Sequence, residues 1–290
     1  MTRKKFLYAE EPSYADSKII ILPIGFEKTV CYGKGTSKGP EAILDASQLV
    51  ELYDEELNYI TSKAGIHSLE PLKQENNSTA MMKKIEEVVD KILKDNKFPV
   101  TLGGEHSISN GTFSSIIKKY PDVSVLHLDA HMDLRDVYFN DKYSHGSVMA
   151  RIYEKNPKKV VHVGIRSCCD EEIEKIKKNN LTVFWAKDIH TAKDHKREWV
   201  KKAVEKLDKD VYITLDVDVF DPSVISATGT PEPGGLDWYN VIDFLKEVFK
   251  HKNVVGFDVV ELAPNKYSSA SDFTVARLVY RMIGYKFCRK

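Results

Sequence analysis

The chain has 290 residues, 42% of them hydrophobic, with 43 Lys and Arg balanced by 43 Asp and Glu. That is enough apolar sequence for a substantial core, in one large α/β domain or two small ones, and it excludes a disordered chain. A formal net charge of zero gives no global field toward nucleic acid or a membrane surface, so neither is expected as a partner.

In chain order, helical and strand signals alternate. The first residues, MTRKKFLYAEEPSYAD, are basic but lack the apolar segment and small-residue cleavage site of a leader. KIIILPI (18–24) reads as the first strand, and GPEAILDASQLVELYD, from Gly39, as a helix with Pro in its first turn. An amphipathic helix is expected over 79–95, then the strand FPVTL, a turn at Gly103 and Gly104, and a helix from about Ile108. VSVLHL is the next strand, followed by a loop to about Gly146 and a helix near 148–156. The strand VVHVGI, a charged helix from Asp170, the strand LTVFW and a helix near 196–207 come next. VYITL, a Pro/Gly-rich loop, a helix around 238–249, the strand VVGFDVV and a helix from Ser271 complete the series.

This alternation predicts an α/β fold with a mainly parallel sheet flanked by helices. With no composition break and no repeat, residues 1–290 read as one domain. No run approaches transmembrane length. Cys168 and Cys169 are adjacent, while Cys31 and Cys288 are isolated, which is neither a disulfide framework nor a thiolate zinc pattern; a reducing cytoplasm is the expected location.

Six potential metal ligands fall where apolar runs end: His106 in LGGEHS, Asp129, His131 and Asp133 in HLDAHMD, and Asp216 and Asp218 in ITLDVDVFDP. Ligands of parallel α/β sheets gather at the carboxyl ends of the strands. The spacing of two within a cluster puts alternate side chains on one face of extended chain. Taken singly, each is an ordinary solvated loop residue. Packed together without a cation, however, several carboxylates would repel one another and suffer desolvation. Oxygen-rich ligation with imidazole and no thiolate suits Mn(II), and also Mg(II), Fe(II), Co(II) or Ni(II). Two such ions would acidify a bridging water enough to supply hydroxide near neutral pH.

GGEHS, DAHMD, SHGS, DVDVFDP, GTPEPGG and VVEL, in this order and spacing and with TVCYGKGTSKGPEAIL near the start, resemble the ureohydrolase family of arginases and agmatinases over nearly the whole chain. The resemblance implies a three-layer α/β/α sandwich around about eight strands and a dimanganese centre. His106, Asp129, Asp133 and Asp216 would hold one ion, and His131, Asp129, Asp216 and Asp218 the other, with Asp129 and Asp216 bridging. The motif more often reads GGDHS; Glu105 replaces that Asp and is not counted as a ligand. Glu261 resembles the carboxylate that binds the guanidinium, and His145 the histidine that relays protons to the departing amine. Asp133 is assigned to catalysis as well as to metal binding. Relatives are commonly trimers or hexamers, so a homo-oligomer is expected.

For substrate, arginases carry GLRDVDP after the strand that here ends in GIRSCCDEE, and its second Asp binds the α-amino group. Aligned on Gly164 and Arg166, that position is Cys169. The loop before SHGS also lacks the arginase style, so the expected substrate is agmatine, cleaved to putrescine and urea. Aminopropylagmatine, guanidinobutyrate and arginine are the alternatives within the class; a dimetal phosphoesterase and a non-catalytic metal-binding scaffold lie outside it. A distal cation would call for an acid or aromatic at the pocket mouth and a distal carboxylate for Arg or Lys; Asp136, Tyr138 and Arg135 all lie in the loop and do not decide between them, each reading singly as a solvent-exposed loop residue. His127 and His162 lie inside strands and read as satisfied core histidines.

Overall fold

A computed structural model of the chain describes residues 3–191 and 198–288. The strands are β1 (Ile19–Ile24), β2 (Tyr53–Asp54), β3 (Tyr59–Ile60), β4 (Ile66–Ser68), β5 (Phe98–Gly103), β6 (Ser124–Leu128), β7 (Lys159–Ile165), β8 (Thr182–Trp185), β9 (Asp210–Asp216) and β10 (Asn253–Val260). The helices are α1 (Gly39–Ser47), α2 (Ser78–Lys94), α3 (Ser109–Lys119), α4 (Val148–Glu154), α5 (Asp170–Asn179), α6 (Ala186–Thr191), α7 (Glu198–Lys206), α8 (Trp238–His251) and α9 (Ala270–Phe287).

Eight strands form one parallel sheet in the order β4-β1-β5-β10-β9-β6-β7-β8. Alternate residues of each strand feed two separate cores. Ile19, Ile21, Leu126, Leu128, Ile213 and Leu215 pack with α1, α7, α8 and α9, whereas Ile20, Leu22, Val125 and Tyr212 pack with α2, α3 and α4. Burial on both faces is why these strands read as continuous apolar runs. The expected three-layer sandwich is the one observed. Among the described residues, no helix is long and apolar enough to cross a membrane.

Register explains why the chemistry collects where it does. Leu128 lies opposite Leu215, and Val260 opposite Asp216, so the carboxyl ends of β6, β9 and β10 finish level. Together with β5 they are the four central strands, β5-β10-β9-β6. The chain passes from β5 to β6 across the positions later filled by β9 and β10, the kind of switch point at which open α/β sheets bind ligands.

Three local expectations change. The first helix stops at Ser47 rather than running to Asp54, because Asp54 is buried against Arg281 (3.1 Å) and caps the turn through the backbone N–H groups of Glu56 and Leu57 (both 3.1 Å). That tertiary ion pair outweighs helix propensity and leaves a β2-β3 hairpin in place of the last turns. The edge strand β4 and the helix α6 directly after β8 were both unexpected; three residues and six are too short for a periodic signal. Lys196, expected to begin a helix, lies outside the described residues, and α7 is described from Glu198.

Gly104 ties β5 to β1 and β10: its N–H donates to Ile24 O (2.7 Å) and its carbonyl accepts from Glu261 N (2.9 Å). A Cβ there would press on the Phe26 carbonyl, backbone that cannot swing aside. Gly104→Ala is expected to cost about 1–3 kcal/mol in urea unfolding; an unchanged midpoint would show that the turn has slack.

Candidate active site

All six expected ligands meet on the rim of the four central strands. His106 follows β5, the group Asp129, His131 and Asp133 follows β6, and Asp216 and Asp218 lie at the end of β9. The turns fix them through their own backbone. Asp129 Oδ1 accepts from His131 N (2.6 Å), Asp216 Oδ1 from Asp218 N (2.8 Å), and Asp218 Oδ1 from Ala130 N (2.9 Å). Asp133 and Glu261 both sit in the left-handed region, φ 50° and 66°, where non-glycine residues are uncommon.

Hydrogen-bond direction identifies the ligand atom of His106. Thr214 Oγ1 donates to Asp258 Oδ1 (2.8 Å), so it accepts from His106 Nε2 (2.9 Å). Nδ1 is then bare in the neutral ring, the form that binds a metal; without a metal, and against the effect of burial, the three carboxylates beside it raise the affinity of His106 for a second proton well above the ordinary range. Nδ1 is buried without a hydrogen-bond partner, yet stands 3.1, 3.3 and 3.4 Å from carboxylate oxygens of Asp129, Asp133 and Asp216. A lone pair facing three carboxylates is repulsive unless a cation lies among them. Burial, then the charges of Asp218 and Asp129, push the Asp216 carboxyl well above its usual range. Both observations fit a metal ion at this point. A second group, Asp129, His131 and Asp218, lies beside it, with His131 Nδ1 2.9 Å from Asp218 Oδ2.

His127 also lies close enough to group with His106 and Asp129. Its nitrogens are, however, both occupied. Nε2 donates to Asp129 Oδ2 (2.8 Å), Nδ1 accepts from His162 Nδ1 (2.9 Å), and His162 Nε2 accepts from the Tyr153 hydroxyl (3.0 Å). The two histidines are fully buried and satisfied, as expected, and the chain they form orients Asp129.

The rim opens into a cavity of about 190 Å³ lined by, among others, Tyr32, Asp133, Arg135, Tyr138, His145 and Glu261. Glu261 Oε1 accepts from His106 N (2.6 Å), which leaves Oε2 without a recorded bond. Burial raises its pKa well above the usual range, with Glu105 adding to the shift and the His106 N–H opposing it. Burial, the largest cause, pushes the His145 imidazole down to about 4, so it is neutral near pH 7.

The loop residues divide. Arg135 lies over the Tyr138 ring, 4.4 Å from its centroid, and both line the cavity. Asp136 turns outward to the buried Arg151 (2.6 Å). The acid near the rim is instead Glu232, 3.8 Å from His131 Nε2, which sequence reasoning missed. Cys169 caps α5 in a box with Glu172, whose other oxygen holds Leu134 N (2.8 Å), and it does not line the cavity. Arg166 was also missed: it donates to the carbonyls of Gly164, Asp218, Val219, Phe220 and Glu232 and so ties the β9 loop to β7. Its signal in sequence is slight, but Asp258 was visible as a lone charge inside the apolar run VVGFDVV.

Comparison with known proteins gives a consistent picture. A sequence model of the arginase family matches residues 17–284. The chain is 38% identical to the N(1)-aminopropylagmatine ureohydrolase of Synechocystis sp., covering 97% of this chain and 94% of that one. It is 34% identical to the agmatinase of Bacillus cereus, over 96% of this chain and 95% of that protein. The crystal structure of agmatine ureohydrolase of Thermoplasma volcanium superposes with a TM-score of 0.89 at 28% identity, covering 99% of this chain and 95% of that chain.

Thr214→Val removes the hydroxyl that joins His106 to Asp258 while keeping the side-chain shape. Divalent-metal affinity measured by calorimetric titration is expected to fall about 10–100-fold; wild-type affinity would show that His106 needs no such support.

Proposed function

The chain belongs to the arginase family and is a hydrolase of guanidine C–N bonds, and on that premise we propose that it releases urea from a linear guanidine ending in an amine, with agmatine as substrate and putrescine as the other product. The observation that carries the reading is the bare His106 Nδ1 among three carboxylates with Glu261 beside it in one small cavity. His106, Asp129, Asp133 and Asp216 would hold one divalent ion and His131, Asp129, Asp216 and Asp218 the other, Mn(II) being our choice for this donor set. Bound there, the ions supply a water acidified to near neutrality. The side chains do the rest. Glu261 binds the planar guanidinium by charge-assisted hydrogen bonds and aims its central carbon at the rim. His145, neutral and beside the cavity, hands a proton to the departing amine.

At the far end, the cavity offers Tyr32, Tyr138 and the nearby Glu232 to an ammonium group. Cys169, capping a helix, supplies no acid for an α-amino group. A second reading, the aminopropyl-extended agmatine, is favoured by the higher identity to the Synechocystis enzyme than to the Bacillus one. Family membership argues against the phosphoesterase, and the six intact ligand positions with His145 and Glu261 argue against a non-catalytic scaffold. The four free cysteines support a reducing cytoplasm, and a trimer or hexamer is the assembly we expect.

Urea release with defined metals decides the substrate. Agmatine or aminopropylagmatine is expected to exceed arginine and guanidinobutyrate by on the order of 100-fold in kcat/KM; arginine at an equal or higher rate would sink the assignment. Two variants separate the roles. Asp129→Asn should lose bound metal and turnover together, whereas Glu261→Gln should lower kcat/KM about 10–100-fold with metal content intact. Full activity in the first, or metal loss in the second, would contradict the assigned roles.

A further inference from the structure

Glu105 stands where the motif more often carries Asp, is fully buried, and takes no part in the ligand set. Its two oxygens collect four donors: the backbone N–H groups of Lys28 and Thr29 on Oε2 (both 2.6 Å), and the hydroxyls of Ser107 (2.6 Å) and Thr29 (3.0 Å) on Oε1. The extra methylene of Glu carries this carboxylate toward the segment after β1. Thr29 then reaches across to His145, 116 residues away in sequence.

The Thr29 hydroxyl is a three-way joint. Its oxygen is 3.0 Å from Glu105 Oε1, 3.0 Å from the His145 backbone N and 3.1 Å from His145 Nδ1. A hydroxyl has one hydrogen to give and two lone pairs to receive. Glu105 already receives two backbone N–H groups on Oε2 and the Ser107 hydroxyl on Oε1, a donor set built for an acceptor, so the Thr29 hydrogen also goes to Glu105 and both contacts with His145 are ones that Thr29 accepts. His145 must therefore carry its own proton on Nδ1. The opposite ring nitrogen, Nε2, is left bare on a side chain that lines the cavity.

We infer that Glu105 and Thr29 are positioning residues for C–N cleavage, holding His145 as the Nδ1–H tautomer so that Nε2 takes up a proton and passes it to the departing amine. The proton balance closes: a proton given up by the attacking water arrives at Nε2, the same proton leaves on the amine nitrogen as the C–N bond breaks, and the imidazole returns to its starting tautomer. The inference rests on the proton-transfer role proposed for His145, and its test separates the two.

Thr29→Val keeps the shape and removes the joint, Thr29→Ser keeps the hydroxyl, and His145→Ala removes the group acted on. With metal-loaded protein and agmatine, Thr29→Val is expected to lower kcat about 10–100-fold while KM and metal per chain stay within about twofold of wild type. Thr29→Ser should recover most of the loss, and the Thr29→Val/His145→Ala double variant should be no slower than His145→Ala alone, as for residues acting as one unit. Wild-type kcat in Thr29→Val, additive losses in the double variant, or a Thr29→Ser as slow as Thr29→Val would overturn the link. Wild-type activity in His145→Ala would instead overturn the role of His145 itself. Because Thr29→Val could fail to fold, NMR of isotope-labelled histidine in Mg(II)-loaded wild type provides an independent reading, with His145→Ala identifying the signal: the Nδ1–H tautomer is expected, and the Nε2–H tautomer refutes the inference.

Discussion

The bare Nδ1 of His106 faces oxygens of Asp129, Asp133 and Asp216 at 3.1, 3.3 and 3.4 Å, at the carboxyl edge of the sheet. Without a metal ion, protons taken up by His106 and His131 offset these carboxylates, and both imidazoles are accordingly raised above their ordinary range despite burial. The nearby imidazole of His127 donates to Asp129, yet Asp216 remains raised by burial and the charges of Asp218 and Asp129, and Asp133 by burial and the charge of Asp129. Removing one carboxylate would relieve repulsion, so the fold keeps the cluster at a cost in stability, as expected where a cation is to be held. The neighbouring features follow from that requirement. Thr214 and Asp258 turn His106 so that its free nitrogen points inward, and His127, His162 and Tyr153 do the same for Asp129.

Holding the cluster also requires unusual backbone. Asp133 and Glu261 adopt left-handed conformations that cost of order 1 kcal/mol or more each and persist only where surroundings over-determine them. Those surroundings are present in both cases. The Asp133 carbonyl accepts from Met149 N (2.9 Å) and Glu261 N donates to Gly104 O (2.9 Å), while the Glu261 side chain is clamped by His106 N. Each turn after a strand is thus fastened to a neighbouring turn, and the rim behaves as one piece of backbone. Pre-organisation of that kind is what a site needs if its groups are to be in place before substrate arrives.

How much of this was legible in the sequence depends on the range of the interaction. Strand ends carrying Asp129, Asp216 and Glu261 were visible because burial on both faces writes a continuous apolar run, and the acid that ends it stands out. His131 and Asp133 followed from the period of two. The helix expected to reach Asp54 was misread, since its termination depends on Arg281, far along the chain. Thr29, Arg166 and Glu232 were overlooked for the same reason. A threonine, an arginine and a loop glutamate have no local pattern, and their roles exist only once β1, β5, β7 and the β9 loop lie together. The sequence left the substrate's far end open among Asp136, Tyr138 and Arg135; the carboxylate of Asp136 belongs to Arg151.

The same difference in range separates the chemistry from the selectivity. Groups that face the reacting carbon come from the ends of four adjacent strands whose register sets them level, so any chain that builds this sheet and keeps these residues presents the same interior. The cavity wall away from the rim comes instead from irregular segments, Tyr32 before α1 and Arg135 and Tyr138 after β6, with Glu232 after β9 nearby. Such loops change without disturbing a core. Relatives named for agmatine and for its aminopropyl derivative both match this chain over nearly its whole length, so the fold alone does not separate the two substrates. By the same argument, a change of substrate in this chain would be sought among Tyr32, Tyr138 and Glu232, while changes to Asp129, Asp216 or Glu261 would weaken the reaction rather than redirect it.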